Sequence, residues 1–552
     1  MALIEPELQR VNRATRGRAN ADYDVNNSLQ IISPMTRLID IEFGLITDLI
    51  RQHAQSSPSR RALVQGDRQL DYASLDSLMD RTACALQRDG VGPGAAIAIC
   101  AGMSIEYTAV FLGALRAGVT VAPLAPGSGA SSLQRMVRDA QTKLVFTDAH
   151  GSESLGPVGT DADAVARIAM DNTAVGRTLD SWLAEAGQKP VPVAVQADWP
   201  FNIIYSSGTT GEPKGIVQSH GMRWTHVRRA TTYHYDANTV TLLSTPLYSN
   251  TTLVVLFPTL SCGGTLVLMP KFDARGYLTL AQTHRVTHTM LVPVQYQRLM
   301  AHPDFDRFDL SSFLVKFSTS APFSAAVKTD VVKRWPGELV EFYGMTEGGG
   351  TCILEAHAHP AKLHTVGQPA EGHDIRLIDD NGVEVSVGEA GEVVGHSGGM
   401  MTGYHGQPDK TRDAEWFDPQ GKRFIRTGDI GRFDGDGFLT LFDRKKDMLI
   451  SGGFNVYPSD LEAILRKHPS VFEAAVVGVP SERWGETPAA FVVLHPGKTV
   501  ATDELLNWVN SQVGKNQRLG HLQFIDELPR SAIGKVLKRE LRDGFQPGAE
   551  RQ

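Results

Sequence analysis

Cysteine is scarce in this chain, with four residues among 552, and no two of them form a C-x-x-C pair. Cys84, Cys100, Cys262 and Cys352 are scattered, so we predict neither a zinc site nor a disulfide framework. Reduced thiols in a cytoplasmic compartment fit this usage best. A run of about 18 apolar residues is also missing, so no membrane-spanning helix is expected. The N-terminus lacks a basic segment followed by an apolar run, and we therefore expect no secretory signal.

An excess of positive charge is absent as well, because 54 basic residues are outnumbered by 61 acidic ones and the formal net charge is −7. This balance gives no electrostatic reason to expect nucleic-acid binding. The hydrophobic share of 42% and the charged share of 21% are ordinary for a soluble enzyme. A chain of 552 residues exceeds what one core usually holds, so at least two domains are expected.

Strand-like apolar segments alternate with helical patterns along most of the chain. RALVQG, AAIAIC and VTVAPL are typical of buried strands, and helical patterns lie between them, which predicts an α/β protein with parallel sheets. Short strands and glycine-rich turns after about residue 366 predict a β-rich subdomain, and a last alternation predicts a small α+β domain. The expected parts are an N-terminal arm (1–40), a large domain (41–444, with its β-rich part at 366–444) and a small C-terminal domain (445–552).

A segment rich in glycine and hydroxyl groups, YSSGTTGEPKG, follows the apolar strand FNIIY. Glycine lets the backbone approach a ligand closely, and the exposed N–H groups can bind anionic oxygens. The segment does not match GxxxxGK[ST], so a Walker A loop is not predicted. A solvated surface loop is the alternative interpretation. The expected phosphate-binding residues are Ser206, Ser207, Gly208, Thr209, Thr210, Gly211 and Lys214.

The same segment resembles the signature of the adenylate-forming superfamily, which includes acyl- and aryl-CoA synthetases, peptide-synthetase adenylation domains and beetle luciferases. Further motifs of that superfamily follow in the expected order, so the resemblance extends from about residue 45 to residue 541. It implies ATP, Mg²⁺ and coenzyme A as ligands, a carboxylic acid as substrate, and a small domain that moves between two half-reactions.

EFYGMTE, at residues 341–347, resembles the family's YGxTE element, and RTGD, at residues 426–429, resembles its TGD element. The nucleotide site implied by this resemblance contains Tyr343, Gly344, Thr346, Glu347, Asp429 and Arg444. Tyr343 offers an aromatic face to adenine, Thr346 a hydroxyl to the α-phosphate, and Glu347 a carboxylate to Mg²⁺. Asp429 is expected to bind the ribose hydroxyls, and Arg444 is expected to contact ribose or phosphate.

RKKDMLISGG resembles the hinge between the two domains of the family. Lys446 has the pivot position, and Gly452 and Gly453 match glycines of the thiol channel, where a side chain would block pantetheine. Ser459, with Glu462 three residues later, predicts a capping box for the first helix of the small domain.

PRSAIGK resembles the C-terminal motif of the family, which implies that Lys535 is the catalytic lysine together with Thr346 and Glu347. Trp484 and Arg518 stand where some CoA ligases hold the nucleotide end of CoA. The nearby segment VGKNQRLG departs from the family's aromatic and proline pattern, and a packing role for Trp484 is equally compatible with the sequence.

The expected acid pocket departs from the family pattern at two points. Many relatives have a histidine after PLY, whereas this chain has Ser249; two glycines are common where it has FSTS, at residues 317–320. We therefore expect hydroxyl groups to hold the acid or the pocket to be reshaped. The candidate pocket residues are Trp224, Ser249, Met290, Ser318, Thr319, Gly344 and Gly349.

These motifs predict an AMP-forming carboxylic acid:CoA ligase whose acid is aryl, alicyclic or medium-chain acyl. An adenylation enzyme that loads a carrier-protein thiol is the first alternative, and a luciferase-like oxygenase shares the same motifs. A dinucleotide-dependent oxidoreductase has only GVGPGA in its favour, and this near-match precedes a strand instead of following one. A non-enzymatic interaction protein would not need this set of ATP contacts. A homodimer is compatible with the sequence, which leaves the oligomeric state open.

Overall fold

The computed structural model describes residues 41–157, 165–172, 174–206, 213–445, 447–451, 454–481, 484–531 and 535–545. The predicted N-terminal arm therefore lies outside the described residues. In the described part of the chain, no helix has both the length and the apolarity needed to cross a bilayer.

The first large sheet contains nine strands among the described residues, and its central strands run parallel. In spatial order the strands are Gln368–Pro369, Cys352–Glu355, Glu338–Tyr343, Val315–Ser318, His288–Leu291, Val240–Leu243, Thr265–Leu268, Arg61–Gln65 and Arg68–Asp71. Antiparallel strands occur at both edges. Parallel strands buried on both faces account for the continuous apolar runs of the sequence.

The second large sheet contains eight strands in the described ranges. In spatial order they are Gly403–Tyr404, Lys214–Ser219, Pro200–Ser206, Thr120–Leu124, Ala96–Cys100, Thr142–Thr147, Ala166–Ala169 and Arg177–Thr178. The glycine-rich segment connects two neighbouring antiparallel strands of this sheet, in which Ser206 and Lys214 are paired.

Helices fill the space between and around the two sheets. The helix Ile105–Arg116 is buried along nearly all of its length, and it begins where the Ser104 side chain accepts a hydrogen bond from the Tyr107 N–H at 3.0 Å. The α-helices of this region are Ile46–Ser56, Tyr72–Arg88, Ile105–Arg116, Ala130–Asp139, Ala149–Leu155, Leu179–Trp182, His220–Arg228, Asn250–Ser261, Ala274–Thr283, Pro293–Met300, Ala325–Arg334 and Pro408–Asp413. Short 3₁₀ turns follow at Ala230–Tyr233, Phe305–Arg307 and Pro360–Lys362. The alternation of strand and helix that the sequence predicts is confirmed.

Two smaller sheets follow along the chain. The first, which matches the predicted β-rich part, contains Asp374–Ile378, Gly391–His396, Arg423–Phe433, Glu415–Phe417 and Leu439–Arg444. The second contains Phe454–Val456, Leu449–Ser451, Gly485–Leu494, Val471–Ser481 and His521–Phe524, with the helices Pro458–Leu465, Thr502–Asn510 and Lys538–Asp543 and the 3₁₀ turn Lys515–Gln517. The change of sheet near residue 445 agrees with the expected domain boundary, which stays a prediction.

The start of the helix Pro458–Leu465 differs from the predicted capping box. Tyr457 is the N-cap residue and its side chain accepts no capping hydrogen bond, whereas the Asp443 carboxylate accepts one from the Ser459 N–H at 3.1 Å. The Glu462 carboxylate instead accepts a hydrogen bond from the Val476 N–H at 2.9 Å. The prediction for Ser459 was wrong, because a proline at the first helical position starts the helix without needing a partner for its own nitrogen.

Candidate active site

One connected cleft of about 2840 Å³ contains most of the predicted site residues that the structure describes. Its walls are formed by the ends of strands from both large sheets, by the β-rich part and by the segment around Lys535. The predicted residues that line it are Ser206, Lys214, Ser249, Thr319, Tyr343, Gly344, Thr346, Glu347, Asp429, Arg444 and Lys535. Residues that are more than 300 positions apart in the sequence therefore face the same space.

The turn after the strand Glu338–Tyr343 is fixed by hydrogen bonds to its backbone. The Gln218 side-chain amide donates to the Thr346 carbonyl oxygen at 2.6 Å, and the Met401 N–H donates to the Glu347 carbonyl oxygen at 2.7 Å. Each bond comes from a different segment of the chain. This turn is therefore held from two sides before any ligand binds.

The Glu347 carboxylate is also held by a neighbouring side chain. The Tyr404 hydroxyl donates to it at 3.0 Å, and the Lys214 ammonium lies 4.8 Å from the centre of the Tyr404 ring. Burial, followed by the adjacent Glu347 carboxylate, raises the pKa of the Tyr404 hydroxyl, so this group stays a donor at neutral pH. Glu347 thus presents an oriented carboxylate to the cleft.

Tyr343, Asp429 and Arg444 form a second constellation in the same cleft. Asp429 and Arg444 face each other in an antiparallel strand pair, and the Arg444 Nε atom lies 3.3 Å from the Asp429 Oδ1 atom. The Tyr343 hydroxyl donates to the Asp429 Oδ2 atom at 2.8 Å. Burial and the Asp429 charge raise the pKa of Tyr343, which keeps its hydroxyl protonated. A carboxylate can accept about four hydrogen bonds, so Asp429 retains capacity for ligand hydroxyls.

Lys535 approaches the cleft from the last part of the chain. Its N–H donates to the Ser531 Oγ atom at 3.2 Å, and its carbonyl oxygen accepts from the Ser531 N–H at 2.8 Å. Arg530 forms an ion pair with Glu473 at 2.6 Å, which joins Arg530 to the strand Val471–Ser481. Ser531, the next residue, is thereby connected to the small sheet.

Several predicted residues cannot be placed. Ser207, Gly208, Thr209, Thr210, Gly211, Lys446, Gly452 and Gly453 lie outside the described residues. Trp484 is 36% exposed beside the strand Gly485–Leu494, and neither it nor Arg518 lines the described walls of the cleft. Their CoA contacts stay predictions.

Four predicted acid-pocket residues lie away from the described cleft walls. Met290 and Ser318 are fully buried inside strands, and Gly349 packs against the Gly395 backbone, where an added Cβ would lie 2.9 Å from a carbonyl oxygen. Trp224 is buried against Gly44, and its indole N–H donates to the Ile41 carbonyl oxygen at 3.1 Å. These placements favour packing roles, because each side chain or backbone is enclosed by the protein itself.

The structure adds an aromatic wall that sequence reasoning missed. Phe317 and Phe342 stack with their ring centres 5.5 Å apart, and Tyr233 meets them edge-on at 5.2 and 5.7 Å. All three line the cleft, as does Tyr248. Phe342 precedes Tyr343 in the same strand, and neighbouring residues of a strand point to opposite faces. The sequence could therefore have indicated that Phe342 is on the other face of this strand from Tyr343. Tyr233 lies in a short 3₁₀ turn, which gives no periodic signal.

Two family models match the chain. The model described as AMP-binding enzyme matches residues 50–405, and the model described as AMP-binding enzyme C-terminal domain matches residues 460–535. Together these ranges contain the segments that form most of the cleft.

Individual proteins of similar sequence and structure cover nearly the whole chain. A feruloyl-CoA synthase from Amycolatopsis sp is 33% identical over 501 residues, which represent 90% of this chain and 98% of that protein. An indoleacetate–CoA ligase from Aromatoleum aromaticum is 32% identical over 515 residues, or 90% and 97% of the two chains. The ATP-bound structure of MatB from Rhodopseudomonas palustris has a TM-score of 0.78 at 28% identity, and the match covers 90% of this chain and 98% of that chain.

Proposed function

The chain belongs to the AMP-binding enzyme family, in its acyl-CoA synthetase branch, and on that premise we propose that it activates an aromatic carboxylic acid for transfer to coenzyme A. It is an AMP-forming acid–thiol ligase, for which ATP and CoA are substrates. What we propose beyond this is the chemical class of the acid and the role of each residue in the cleft. The observation that carries it is the convergence of Tyr343, Asp429, Glu347 and Lys535 on one cleft.

The nucleotide is bound between the YGMTE turn and the TGD strand. The Tyr343 ring packs against adenine, and Asp429 accepts hydrogen bonds from the ribose hydroxyls with Arg444 beside it. The 2.8 and 3.3 Å contacts that hold Asp429 support this role, because they fix the carboxylate before the ligand arrives. The α-phosphate then lies near Thr346.

In the first half-reaction the acid carboxylate attacks the α-phosphorus of ATP. One oxygen of the acid forms a bond to phosphorus, and the bond between phosphorus and the pyrophosphate oxygen breaks. Two unit charges about 4 Å apart repel by roughly 4 kcal/mol at an effective dielectric near 20, so the approach of anion to polyanion needs fixed positive charge. Lys535 supplies this charge where the transition state develops it.

A divalent cation completes this proposal. No group of three or more His, Cys, Asp or Glu side chains in the described part of the chain is placed to hold a metal by itself. Mg²⁺ usually binds one or two carboxylates together with substrate phosphates and water, and Glu347, oriented by Tyr404, fits that donor set. When bound, the ion would neutralise part of the phosphate charge.

In the second half-reaction the CoA sulfur attacks the acyl carbon of the acyl-AMP. A carbon–sulfur bond forms, the bond from the acyl carbon to the AMP oxygen breaks, and the thiol proton is released. The family resemblance predicts that the small domain turns about Lys446 between the steps, so that Lys535 leaves the cleft and the thiol enters. Lys446→Pro would therefore slow the thiol step more than pyrophosphate exchange.

The aromatic wall supports an aromatic acid. Tyr233, Phe317 and Phe342 offer stacked and edge-on rings, which favour a planar ring over a flexible chain. The feruloyl-CoA synthase and the indoleacetate–CoA ligase are named for aromatic acids. Ser249 and Thr319 also line this cleft, which supports the proposal that hydroxyl groups help to hold the acid.

The test is a panel of aromatic, alicyclic and medium-chain acids with ATP and MgCl₂, with and without CoA. We expect pyrophosphate release with aromatic acids and the matching acyl-CoA by mass spectrometry. Thioester formation on a holo-carrier protein but not on CoA would contradict the CoA assignment, and release only with aliphatic acids would contradict the acid class. A homodimer and a cytoplasmic location stay predictions of the sequence.

A further inference from the structure

One face of the helix His220–Arg228 and the residue after it carries a row of basic side chains. Arg223, His226 and Arg229 are spaced three residues apart, which places them along one side of a helix. His226 and Arg229 line the cleft, and so does His373, which reaches it from the start of the strand Asp374–Ile378. We call Arg229, His226 and His373 the basic cluster.

The hydrogen bonds of His373 leave two donors facing each other. Its Nδ1 atom accepts a hydrogen bond from the Thr351 N–H at 2.9 Å. Burial, together with the Arg229 charge, lowers the pKa of His373 to about 4, so the ring is neutral and its proton is on Nε2. The Arg229 guanidinium contacts this Nε2 atom, and both side chains line the cleft, where their N–H groups offer donors to an acceptor.

The Arg229 charge also lacks a compensating carboxylate in the described part of the chain. Arg229 forms no ion pair with a described carboxylate, and the charges that act on His226 and His373 come from arginine and histidine. Arg223, fully buried behind them, is held by the amide oxygens of Asn202 and Gln218. Buried charges are normally paired, so this region favours an anion.

His226 adds an unsatisfied polar atom to the cluster. Its Nδ1 atom is sheltered from solvent and has no hydrogen-bond partner among the described residues. Burial is the main cause of the lowered pKa of His226, and the Arg223 and Arg229 charges lower it further. A neutral imidazole and a guanidinium side by side can bind a carboxylate or its bound water.

The cluster lies close to the turn that contains Gly344. An added Cβ on Gly344 would lie 3.3 Å from the Thr351 Oγ1 atom, and Thr351 binds His373 through its backbone. The basic cluster is therefore near Gly344, and the preceding residue, Tyr343, donates a hydrogen bond to Asp429. Tyr233, Phe317 and Phe342 lie beside it and form the wall along which an acid would extend.

We propose that the basic cluster binds a second carboxylate of the acid, so that the substrate is an aromatic dicarboxylic acid activated at one end and held by Arg229 at the other. This inference rests on the proposed function of the cleft as the acid-activating site. A guanidinium matches a carboxylate with two parallel hydrogen bonds, and the converging Nε2–H of His373 supplies a third donor.

The test compares matched acids on the wild-type enzyme in the pyrophosphate-release assay. The pairs are 4-carboxybenzoate and benzoate, (4-carboxyphenyl)acetate and phenylacetate, and 3-(4-carboxyphenyl)propanoate and 3-phenylpropanoate; the methyl ester at the distal carboxylate of each diacid is the third member. We expect kcat/KM at least tenfold higher for one diacid than for its monoacid and its ester. Equal or better use of the monoacids in all three sets would overturn the inference while leaving the proposed ligase function intact. Failure of every acid would count against the ligase function.

Variants separate binding of the distal carboxylate from a structural role. Arg229→Gln should lower kcat/KM for the preferred diacid at least tenfold and change the monoacid value less than threefold. Arg228→Gln is the matched control, because Arg228 is exposed and adjacent. An equal loss for diacid and monoacid in the Arg229 variant would overturn the inference. If that variant does not fold, the wild-type comparison of diacid with ester decides alone.

Discussion

Gln218 reaches from the strand Lys214–Ser219 to the YGMTE turn, where its side-chain amide donates a 2.6 Å hydrogen bond to the Thr346 carbonyl oxygen. The Gln218 side-chain oxygen accepts hydrogen bonds from Asn202 and from the buried Arg223 at the same time. Gln218 therefore links a buried polar network to the turn on which catalysis is expected to depend. It contacts the backbone and not the substrate, so its proposed role is positioning.

Gln218→Glu separates this positioning role from simple packing. The substituted carboxylate keeps an acceptor for Arg223, with which it can form an ion pair, but it has no proton to donate to the Thr346 carbonyl oxygen. The turn that carries Thr346 and Glu347 would lose this hydrogen bond, and a loss of about 1.4 kcal/mol in positioning would lower kcat for pyrophosphate release about tenfold. The KM values for ATP and acid should change little, and the ion pair with Arg223 should offset the stability cost, so the melting temperature should stay close to that of the wild type.

Gln420→Ala, at an exposed position, is the control for this variant. A melting temperature that falls in proportion to kcat would indicate that Gln218 only supports the core.

Gln218→Asn is the conservative variant for comparison. It shortens the side chain but retains the amide donor, so it should lose less activity than Gln218→Glu.

Asp429→Asn tests the nucleotide constellation. The amide would lose the charge that attracts Arg444 and would offer only one acceptor atom to ribose hydroxyls. We expect the KM for ATP to rise about tenfold, since hydrogen bonds to charged groups contribute about 1.5–3 kcal/mol. Steady-state kinetics at saturating acid would measure it, with Asp436→Asn as a control on the exposed end of the same β-rich part. An unchanged KM for ATP would remove Asp429 from the nucleotide site.

The sequence was sufficient to group Tyr343, Asp429 and Arg444 in one candidate site, because each lies in a short motif. Tyr343 and Asp429 were predicted from separate segments, and the structure joins them by a hydrogen bond. The pairing of Asp429 with Arg444 follows from a hairpin in which the two residues are only 15 positions apart. A short motif of this kind indicates both which residue is present and where on a strand it lies.

The acid pocket was less predictable, because its wall is assembled from distant segments. Arg229 and His373 are 144 residues apart and meet only through packing of a helix against the β-rich part. Trp224, four positions from Arg228 on the same helix, was predicted to line the pocket, yet the helix turns its indole toward Gly44. This helix has apolar and basic residues on several sides. A single sequence does not specify which of these sides faces the cavity.

The pairing of His405 with Asp139 predicts a pH dependence near neutrality. The His405 Nδ1 atom lies 3.6 Å from the Asp139 Oδ2 atom, and Asp139 raises the pKa of His405 above 6.5. Asp139 also accepts a hydrogen bond from Tyr205, next to the glycine-rich segment, at 2.5 Å. A raised pKa in the folded protein means that the stabilisation is fully present below pH 6.5 and is lost as the pH rises through the folded-state pKa.

His405→Gln removes this contribution. Below about pH 6.5 we expect the variant to melt about 2 °C lower than wild type, with a difference that shrinks toward pH 9. The effect is small because the pair is partly exposed to solvent. Thermal unfolding of both proteins across pH 6–9 measures it, and His357→Gln, at an exposed position, should show no such trend. A difference between wild type and variant that stays constant over this range would contradict the pairing.

Lys535→Ala tests the division of labour between the two half-reactions. Lys535 is expected to offset negative charge only while the acid attacks the α-phosphorus, and the thioester step has no such encounter of two anions. We therefore expect acyl-AMP formation to fall by a factor of at least 100, corresponding to about 2.7 kcal/mol of lost transition-state stabilisation, while CoA thioester formation from supplied acyl-AMP changes less than threefold. Pyrophosphate exchange measures the first step, and single-turnover formation of acyl-CoA from synthetic acyl-AMP measures the second. Lys498→Ala, an exposed lysine of the same small domain, is the control and should leave both rates unchanged. An equal loss in both steps would mean that Lys535 supports the small domain as a whole, because the thioester step contains no attack of a carboxylate on the α-phosphorus for its charge to assist.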